Sequence, residues 1–362
     1  MLELHLPSRI LINVLVSAMT NPTISVVIPF YNAERTLRQC VSSAFAQDFQ
    51  PFEVILVDNN STDGSSLIAR EFVAERGGNC FYVAEPRQGP SPARNTGTGF
   101  AKGEIIAFID SDCVPHERWL WNIMKAFNNP SIGAVAGRIV GARAVNSVET
   151  FHALFTLKGG RQEKVYKSFS LNTGGFATAN LAVRKLLFEN LGGFDESRSF
   201  GEDHDLCARI YRSGHSIKYT PSAVVFHHHR SDVLRTCRQA FHFGESHPFL
   251  LSKHFEKYLL LELGGVSLRA TRFPIRAWIN LSSADKKVLA IFLLSMLFPP
   301  FLALLPVYYG FLFHRAGVMA KSECINISRK NRLLVPLLLV AKSASMTAGR
   351  LRGSCEHHVL CL

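Results

Sequence analysis

Between residues 23 and 230 short apolar, β-rich runs alternate with segments of helical period. This alternation commits the chain to an α/β fold on a largely parallel sheet. Ile24–Pro29, Phe52–Val57, Cys80–Val83 and Glu104–Ile109 read as strands, with helices over 33–46, 63–75, 91–101 and 116–127. In such sheets loops and helix N-termini converge beyond the carboxyl ends of the strands, so residues just past each strand are the first place to look for a ligand site.

Past the second strand stands Asp58-Asn59-Asn60-Ser61-Thr62-Asp63-Gly64, a turn whose residue types serve a ligand or a helix cap equally well. Past the fourth, the run Ile105–Ile109 delivers Asp110-Ser111-Asp112, two carboxylates one residue apart with no basic neighbour. They repel one another, and a hard divalent cation between them and a ligand's phosphates relieves that repulsion. Phe200-Gly201-Glu202-Asp203-His204-Asp205-Leu206 opens a helix read over Asp205–Arg212 and closed at Gly214. Acids in a first turn also suit the helix dipole. The strand Ala223–Phe226 then runs into His227-His228-His229-Arg230. Neighbours on a strand point to opposite faces, so at most His227 and His229 share one, and a single metal ligand fits this run better than a histidine-only zinc site. Gly97-Thr98-Gly99 fails as a dinucleotide fingerprint, because Lys102 stands where the third glycine belongs and no strand ends immediately before Gly97. No Gly-x-x-x-x-Gly-Lys-Ser/Thr is present, which excludes a P-loop NTPase at motif level.

Taken together these residues resemble the family 2 glycosyltransferases, whose GT-A fold binds nucleotide sugars. The resemblance runs from Thr23 to Arg230 and rests on the order of its pieces: Ser25-Val26-Val27-Ile28-Pro29-Phe30-Tyr31-Asn32, then Val57-Asp58-Asn59-Asn60-Ser61-Thr62-Asp63-Gly64-Ser65, then Gly89 with Ala93-Arg94-Asn95-Thr96-Gly97. Ile109-Asp110-Ser111-Asp112 follows as the Asp-x-Asp, and Gly192-Gly193-Phe194-Asp195-Glu196 and Gly201-Glu202-Asp203-His204-Asp205-Leu206 complete it. The resemblance implies donor contacts from Pro29, Tyr31, Asp58, Asn59, Arg94 and Asp110, and an acceptor side formed by Gly193, Phe194 and Glu202. It implies a Mg2+ or Mn2+ ion on Asp112 and Asp110, to which His227 adds a ligand, and Asp203 as the base. Arg94 reaches either a phosphate or a neighbouring acid.

Three departures bear on function. Asn59 stands where the family often has a second acid, keeping an acceptor oxygen for a base N–H but losing the charge. Cys113 stands where a third acid is frequent. The Gln-x-x-Arg-Trp motif of processive polysaccharide synthases is missing, which favours transfer of single sugars. The expected activity is therefore inverting, metal-dependent, hexosyltransferase-type transfer from a UDP- or GDP-type sugar to a hydroxyl of a lipid-linked or cell-envelope glycan acceptor. An inactive nucleotide-sugar-binding protein and a nucleotidyltransferase on a related fold remain as alternatives. The first conflicts with the retention of Asp112 and Asp203, the second with a first-strand loop, Phe30-Tyr31-Asn32-Ala33-Glu34, that has neither glycine nor cation.

Charge separates the rest of the chain from this domain. The net charge of +12 is unevenly placed: residues 1–250 hold 25 Lys and Arg against 23 Asp and Glu, residues 251–362 hold 15 against 5. The surplus lies outside the α/β domain and is not interleaved with aromatics, so nucleic acid is not an expected partner. From Val288 to Phe313 run 26 residues without a charge, enough at about 1.5 Å per residue to cross a hydrocarbon layer of about 30 Å. Pro299-Pro300 splits the run into arms of about a dozen residues, each too short to span alone. Both flanks are basic, so a single crossing would export one of them against the positive-inside tendency. A re-entrant or interfacial hairpin keeps both flanks cytoplasmic, with Leu333–Ala341 as a further shallow apolar piece; a kinked single span is the alternative. The reading is then an N-terminal extension over 1–22, with Met19 a candidate true start, a GT-A domain over 23–235 and a helical connection over 236–287. An apolar membrane segment over 288–313 and a basic tail with an amphipathic helix over 314–362 follow, all at the cytoplasmic face of the plasma membrane. Eight cysteines without a Cys-x-x-Cys pair argue against a zinc ribbon or disulfide framework and fit a reducing compartment.

Overall fold

The computed structural model describes residues 22–362 apart from 143, 157–158, 230, 265, 272 and 324, so residues 1–21 of the expected extension lie outside the described residues. The chain divides into two compact units, one made of the chain up to Ile139 with Gly159–His227, the other of Val140–Lys158 with His228–Leu362.

In the first unit β1 (Ile24–Phe30), α1 (Leu37–Phe45), β2 (Phe52–Asp58), α2 (Ser65–Arg76), β3 (Cys80–Ala84), α3 (Pro90–Phe100) and β4 (Ile105–Phe108) alternate, and the four strands agree with the sequence reading to within one residue at each end. After β5 (Cys113–Pro115), α4 (Trp119–Ala126) and β6 (Ile132–Gly141) comes α5 (Ser147–Phe155), which belongs to the second unit. β7 (Lys164–Tyr166), β8 (Leu181–Arg184), α6 (Lys185–Asn190), α7 (Glu202–Arg212) and β9 (Ser216–His227) complete the first. The sheet order is β3-β2-β1-β4-β8-β6-β9-β5, with β7 also paired to β9. β1 to β4 pair in parallel as expected, whereas β8 joins β4 and β6 antiparallel and β9 joins β5 and β7 antiparallel, so the sheet is mixed.

The parallel strands are buried on both faces, which is why they read as nearly unbroken apolar runs. Alternation still sorts their side chains: Ile24, Val26 and Ile28 pack with α1, α2 and α4, while Val27, Ile55 and Val57 pack with Ala93 of α3 and with Leu206 and Ile210 of α7. Gly97 permits the α3 contact, because a Cβ there would stand 2.5 Å from Val27 Cγ1 and 2.8 Å from Val57 Cγ2. The glycines of that stretch thus serve packing.

In the second unit α8 (Val233–His254) leads into β10 (Tyr258–Leu263), β11 (Val266–Thr271) and β12 (Ala277–Asn280), then α9 (Ala284–Leu297), α10 (Leu304–Ser322), α11 (Arg329–His357) and β13 (Leu360–Cys361). The helical connection expected over 236–287 is therefore corrected: helix stops at His254, and Gly264, with φ of 59°, turns β10 back on β11 as a hairpin inside a four-stranded sheet. α8 and α11 approach closely enough that a Cβ on Gly349 would fall 1.9 Å from the Phe241 carbonyl oxygen. Pro299-Pro300 does interrupt the apolar run, but the second arm is longer than expected, because α10 continues past His314 and Arg315 to Ser322. Two segments, Pro299–Ser322 and Arg329–His357, are long and apolar enough to cross a membrane, and only 11% of the apolar window of the first is buried.

Candidate active site

The parallel strands end together. Their register sets Phe30 beside Asp58 and Asp58 beside Ala84, so Tyr31, Asn59, Glu85 and Asp110 leave the sheet at one edge. On this edge Asp58 accepts from the Ser61 N–H at 2.9 Å, the Tyr82 hydroxyl at 2.9 Å and the Ser66 hydroxyl. Burial opposes ionisation of Asp58, but these donors outweigh it and hold its pKa below the usual value. Asn59 is buried and already engaged: its amide donates to the Glu85 and Arg87 carbonyls at 3.0 and 2.7 Å, and its Oδ1 accepts from Gly89 N–H at 2.8 Å. It fixes the loop that leads into α3. Tyr31, by contrast, is 52% exposed beside the half-buried Pro29.

Arg94 is buried on α3 and its fork joins two elements, donating from Nη2 to Asp110 Oδ1 and from Nη1 to Glu202 Oε1, each at 2.9 Å. Of the two options for Arg94, the acid pairing is the one present, and its Nε is buried without a partner. α7 begins at Glu202, three residues before the helix start read from the sequence, because Gly201 with φ of 83° ends the preceding turn. Glu202 and Asp203 are both buried in the first turn. Burial, with Asp203 adding repulsion and Arg94 opposing it, pushes the Glu202 carboxyl up to about 7.

Asp112 lies 3.4 Å from His227 Nε2. The ladder accounts for the proximity: β5 pairs with β9 so that Cys113 faces His227, the last residue of the strand. Burial and the neighbouring Asp110 raise the Asp112 carboxyl, with His227 opposing. Ligand atoms of Asp112, Cys113 and His227 lie within 4.8 Å of one another. Burial pushes the Cys113 thiol well up, which keeps it neutral and a poor partner for a hard cation. Carboxylate oxygen and imidazole nitrogen remain, a mixed donor set that Mn2+ accepts more readily than Mg2+, whose ligands are oxygens. The neighbourhood carries Asp110, Asp112, Glu202 and Asp203 against Arg94, an acidic surplus of the kind that a divalent cation can offset.

Gly193 and Phe194 sit beneath this site. Phe194 is buried against Phe108 and Phe188, and its N–H donates to Asn95 Oδ1 at 2.8 Å. Gly193 has φ of 72°, and a Cβ there would meet Asn95 Oδ1 at 2.7 Å. Both position the loop before α7 through α3. Sequence reasoning missed Glu85, which accepts from Thr96 Oγ1 at 2.5 Å and from Arg87 Nη2 at 2.7 Å, while Arg87 also reaches Glu196 at 2.6 Å. The signal was available, since Glu85 is the first residue past β3. Tyr82 and Ser66 around Asp58 were hidden inside a strand and a helix.

Residues 25–192 match the family model for glycosyl transferase family 2. The pre-mycofactocin glycosyltransferase of Mycobacterium tuberculosis is 32% identical over 262 residues, covering 70% of this chain and 53% of that protein, so the chain spans about half the length of this relative. Glycosyltransferase AglE of Haloferax volcanii is 29% identical over 271 residues, 72% of this chain and 81% of that protein. The fold is similar to that of a mannosyltransferase from Pyrobaculum calidifontis in complex with GDP-Man and Mn2+, with a TM-score of 0.53 at 19% identity over 93% of this chain and 88% of that one. The strand-end acids, the helix-borne pair Glu202-Asp203 and these likenesses agree: residues 25–192 carry a family 2 glycosyltransferase domain, on a GT-A fold.

Proposed function

We propose that the chain transfers a single hexose from a UDP- or GDP-type sugar to a hydroxyl of a lipid-linked or cell-envelope glycan acceptor, with inversion, at the cytoplasmic face of the plasma membrane. The observation that carries the reading is the Arg94 fork, which ties the donor-side Asp110 to Glu202, the residue before Asp203. Donor and acceptor chemistry are thereby held in one frame. Asp58, Pro29 and Tyr31 line the nucleotide side of the strand edge, Asn59 shapes it from beneath, and Asp110 and Asp112, with His227, would hold a Mg2+ or Mn2+ ion. Bound there, it would supply Lewis-acid stabilisation of the charge developing on the diphosphate. Asp203 accepts the proton of the acceptor hydroxyl as the new C–O bond forms and the nucleoside diphosphate leaves, so one displacement inverts the anomeric carbon. Glu202 and Arg94 orient the first turn of α7, and Gly193 and Phe194 support it. Support for an enzyme comes from the family and from relatives named as glycosyltransferases; support for the donor class comes from the GDP-Man and Mn2+ of the archaeal structure.

The apolar segments of the second unit support a membrane site, since Met296, Leu297, Val307 and Phe311 are exposed and basic residues flank them. Incubating the chain with a panel of UDP- and GDP-sugars and measuring free nucleotide, then product mass, tests the reading: release with one donor and an acceptor gain of one hexose are expected. Absence of release with every donor, with and without Mn2+, would leave a binding protein instead.

A further inference from the structure

We propose that a pocket between the end of α10 and the start of α11 is a binding site for a phosphate ester, such as an anionic lipid presents at a membrane surface. The proposal rests on the membrane reading of the apolar helices and is independent of glycosyl transfer. The pocket, about 650 Å3, lies wholly within the second unit, and its lining combines Lys321, Arg329 and Arg332 with the apolar Phe313, Ile325 and Ile327. No carboxylate is among its lining residues, and among the described residues none pairs with any of the three cations, although Glu323 lies in the same connection. A site with three cations and no internal counter-ion is built for an anion.

Its geometry is partly fixed in advance. Arg332 donates from Nε to the Phe313 carbonyl at 3.0 Å and lies 4.0 Å over the Phe313 ring. Gly317 leaves room for it, because a Cβ there would stand 2.3 Å from Arg332 Nη2. A guanidinium held this way loses little freedom on binding and suits the planar, two-pronged recognition of phosphate oxygens. Arg329 opens α11, where the first-turn N–H groups add positive potential, and the Ser328 hydroxyl already caps the Asn331 N–H. The two helices it joins belong to the segments long and apolar enough to cross a membrane, which sets this polar connection at the depth of lipid headgroups. Apolar side chains beside the cations then meet the glycerol and upper acyl region. Basic pockets between membrane helices recognise anionic headgroups in this manner.

Co-flotation of the full chain with vesicles of phosphatidylcholine alone, and of phosphatidylcholine mixed with phosphatidylglycerol, tests the proposal. Wild type is expected to prefer the mixed vesicles. Lys321→Ala with Arg329→Ala is expected to weaken binding to them by roughly thirtyfold, from about 1 kcal/mol per cation. Binding to phosphatidylcholine should not change, and Lys321→Arg with Arg329→Lys should keep the preference. A wild type without preference, or an alanine variant that retains it, overturns the proposal. If the chain floats with neither vesicle the membrane reading fails, and calorimetry with sn-glycerol 3-phosphate decides: binding lost in the alanine variant assigns the pocket to a soluble ester, and no binding by wild type overturns the site.

Discussion

Replacing Arg94 with methionine removes the one cation that Asp110 and Glu202 share while keeping a similar apolar stem. Breaking a buried ion pair from one side costs about 3–5 kcal/mol, because the remaining charge is left without a partner. The two acids are not equivalent: the Asp110 side chain is 33% exposed and recovers water, whereas that of Glu202 is 9% exposed and does not. With Glu202 ionised, well above pH 7, the expected loss is therefore about 3 kcal/mol, the lower end of that range. Its pH dependence follows from Glu202. A carboxyl with a folded pKa above its unfolded value binds more protons in the folded state, so stability falls as pH rises from the unfolded value to the folded one. In wild type that fall ends near 7. Without Arg94 it continues to a higher pH, so the deficit is flat below pH 7 and grows above it by about 1.4 kcal/mol per unit until the variant's own pKa is reached. Urea unfolding at a series of pH values between 6 and 9, followed by the fluorescence of Trp119 and Trp121, measures it. A loss below about 1 kcal/mol at pH 9, or a deficit equal at every pH, would refute the claim that Arg94 compensates buried charge.

Gly97→Ala puts a methyl group into the side chains of Val27 and Val57, and overpacking of this kind costs about 1–3 kcal/mol, so the urea midpoint should fall. An unchanged midpoint would show that α3 can move away freely. His227→Ala should weaken Mn2+-dependent donor binding by roughly tenfold or more in a fluorescence titration while leaving metal-free binding alone; an equal loss in both would make His227 a structural residue.

The candidate site was more legible in the sequence than the sheet that carries it. Strand-end logic found Asp58 and Asp110 because buried parallel strands leave an unmistakable apolar run, and the first polar residue after each run is conspicuous. The same logic covers Glu85, where the short run of β3 drew less attention. The antiparallel half was harder: β9 runs from Ser216, but Lys218, Thr220, Pro221 and Ser222 interrupt its apolar pattern, and only Ala223–Phe226 stood out. Helix α1 begins at Leu37 and not at 33, because residues 32 to 36 form a turn in which Asn32 is left-handed and Glu34 accepts from the Gly64 N–H. No local pattern encodes the roles of Asn59 and Phe194. Their partners lie 26 to 30 residues away for Asn59 and in the packed face of β4 for Phe194, so both read as ligand-facing in sequence and as supports in space.

The central claim is that Asp203 takes the acceptor proton while the acids beyond β4 hold the donor. Nucleotide release by Asp203→Asn, measured beside direct donor binding with Mn2+ present, tests it most directly. The account predicts that turnover falls by roughly a hundredfold or more while donor affinity stays close to wild type. Turnover near the wild-type rate, or donor affinity lost together with turnover, would contradict it.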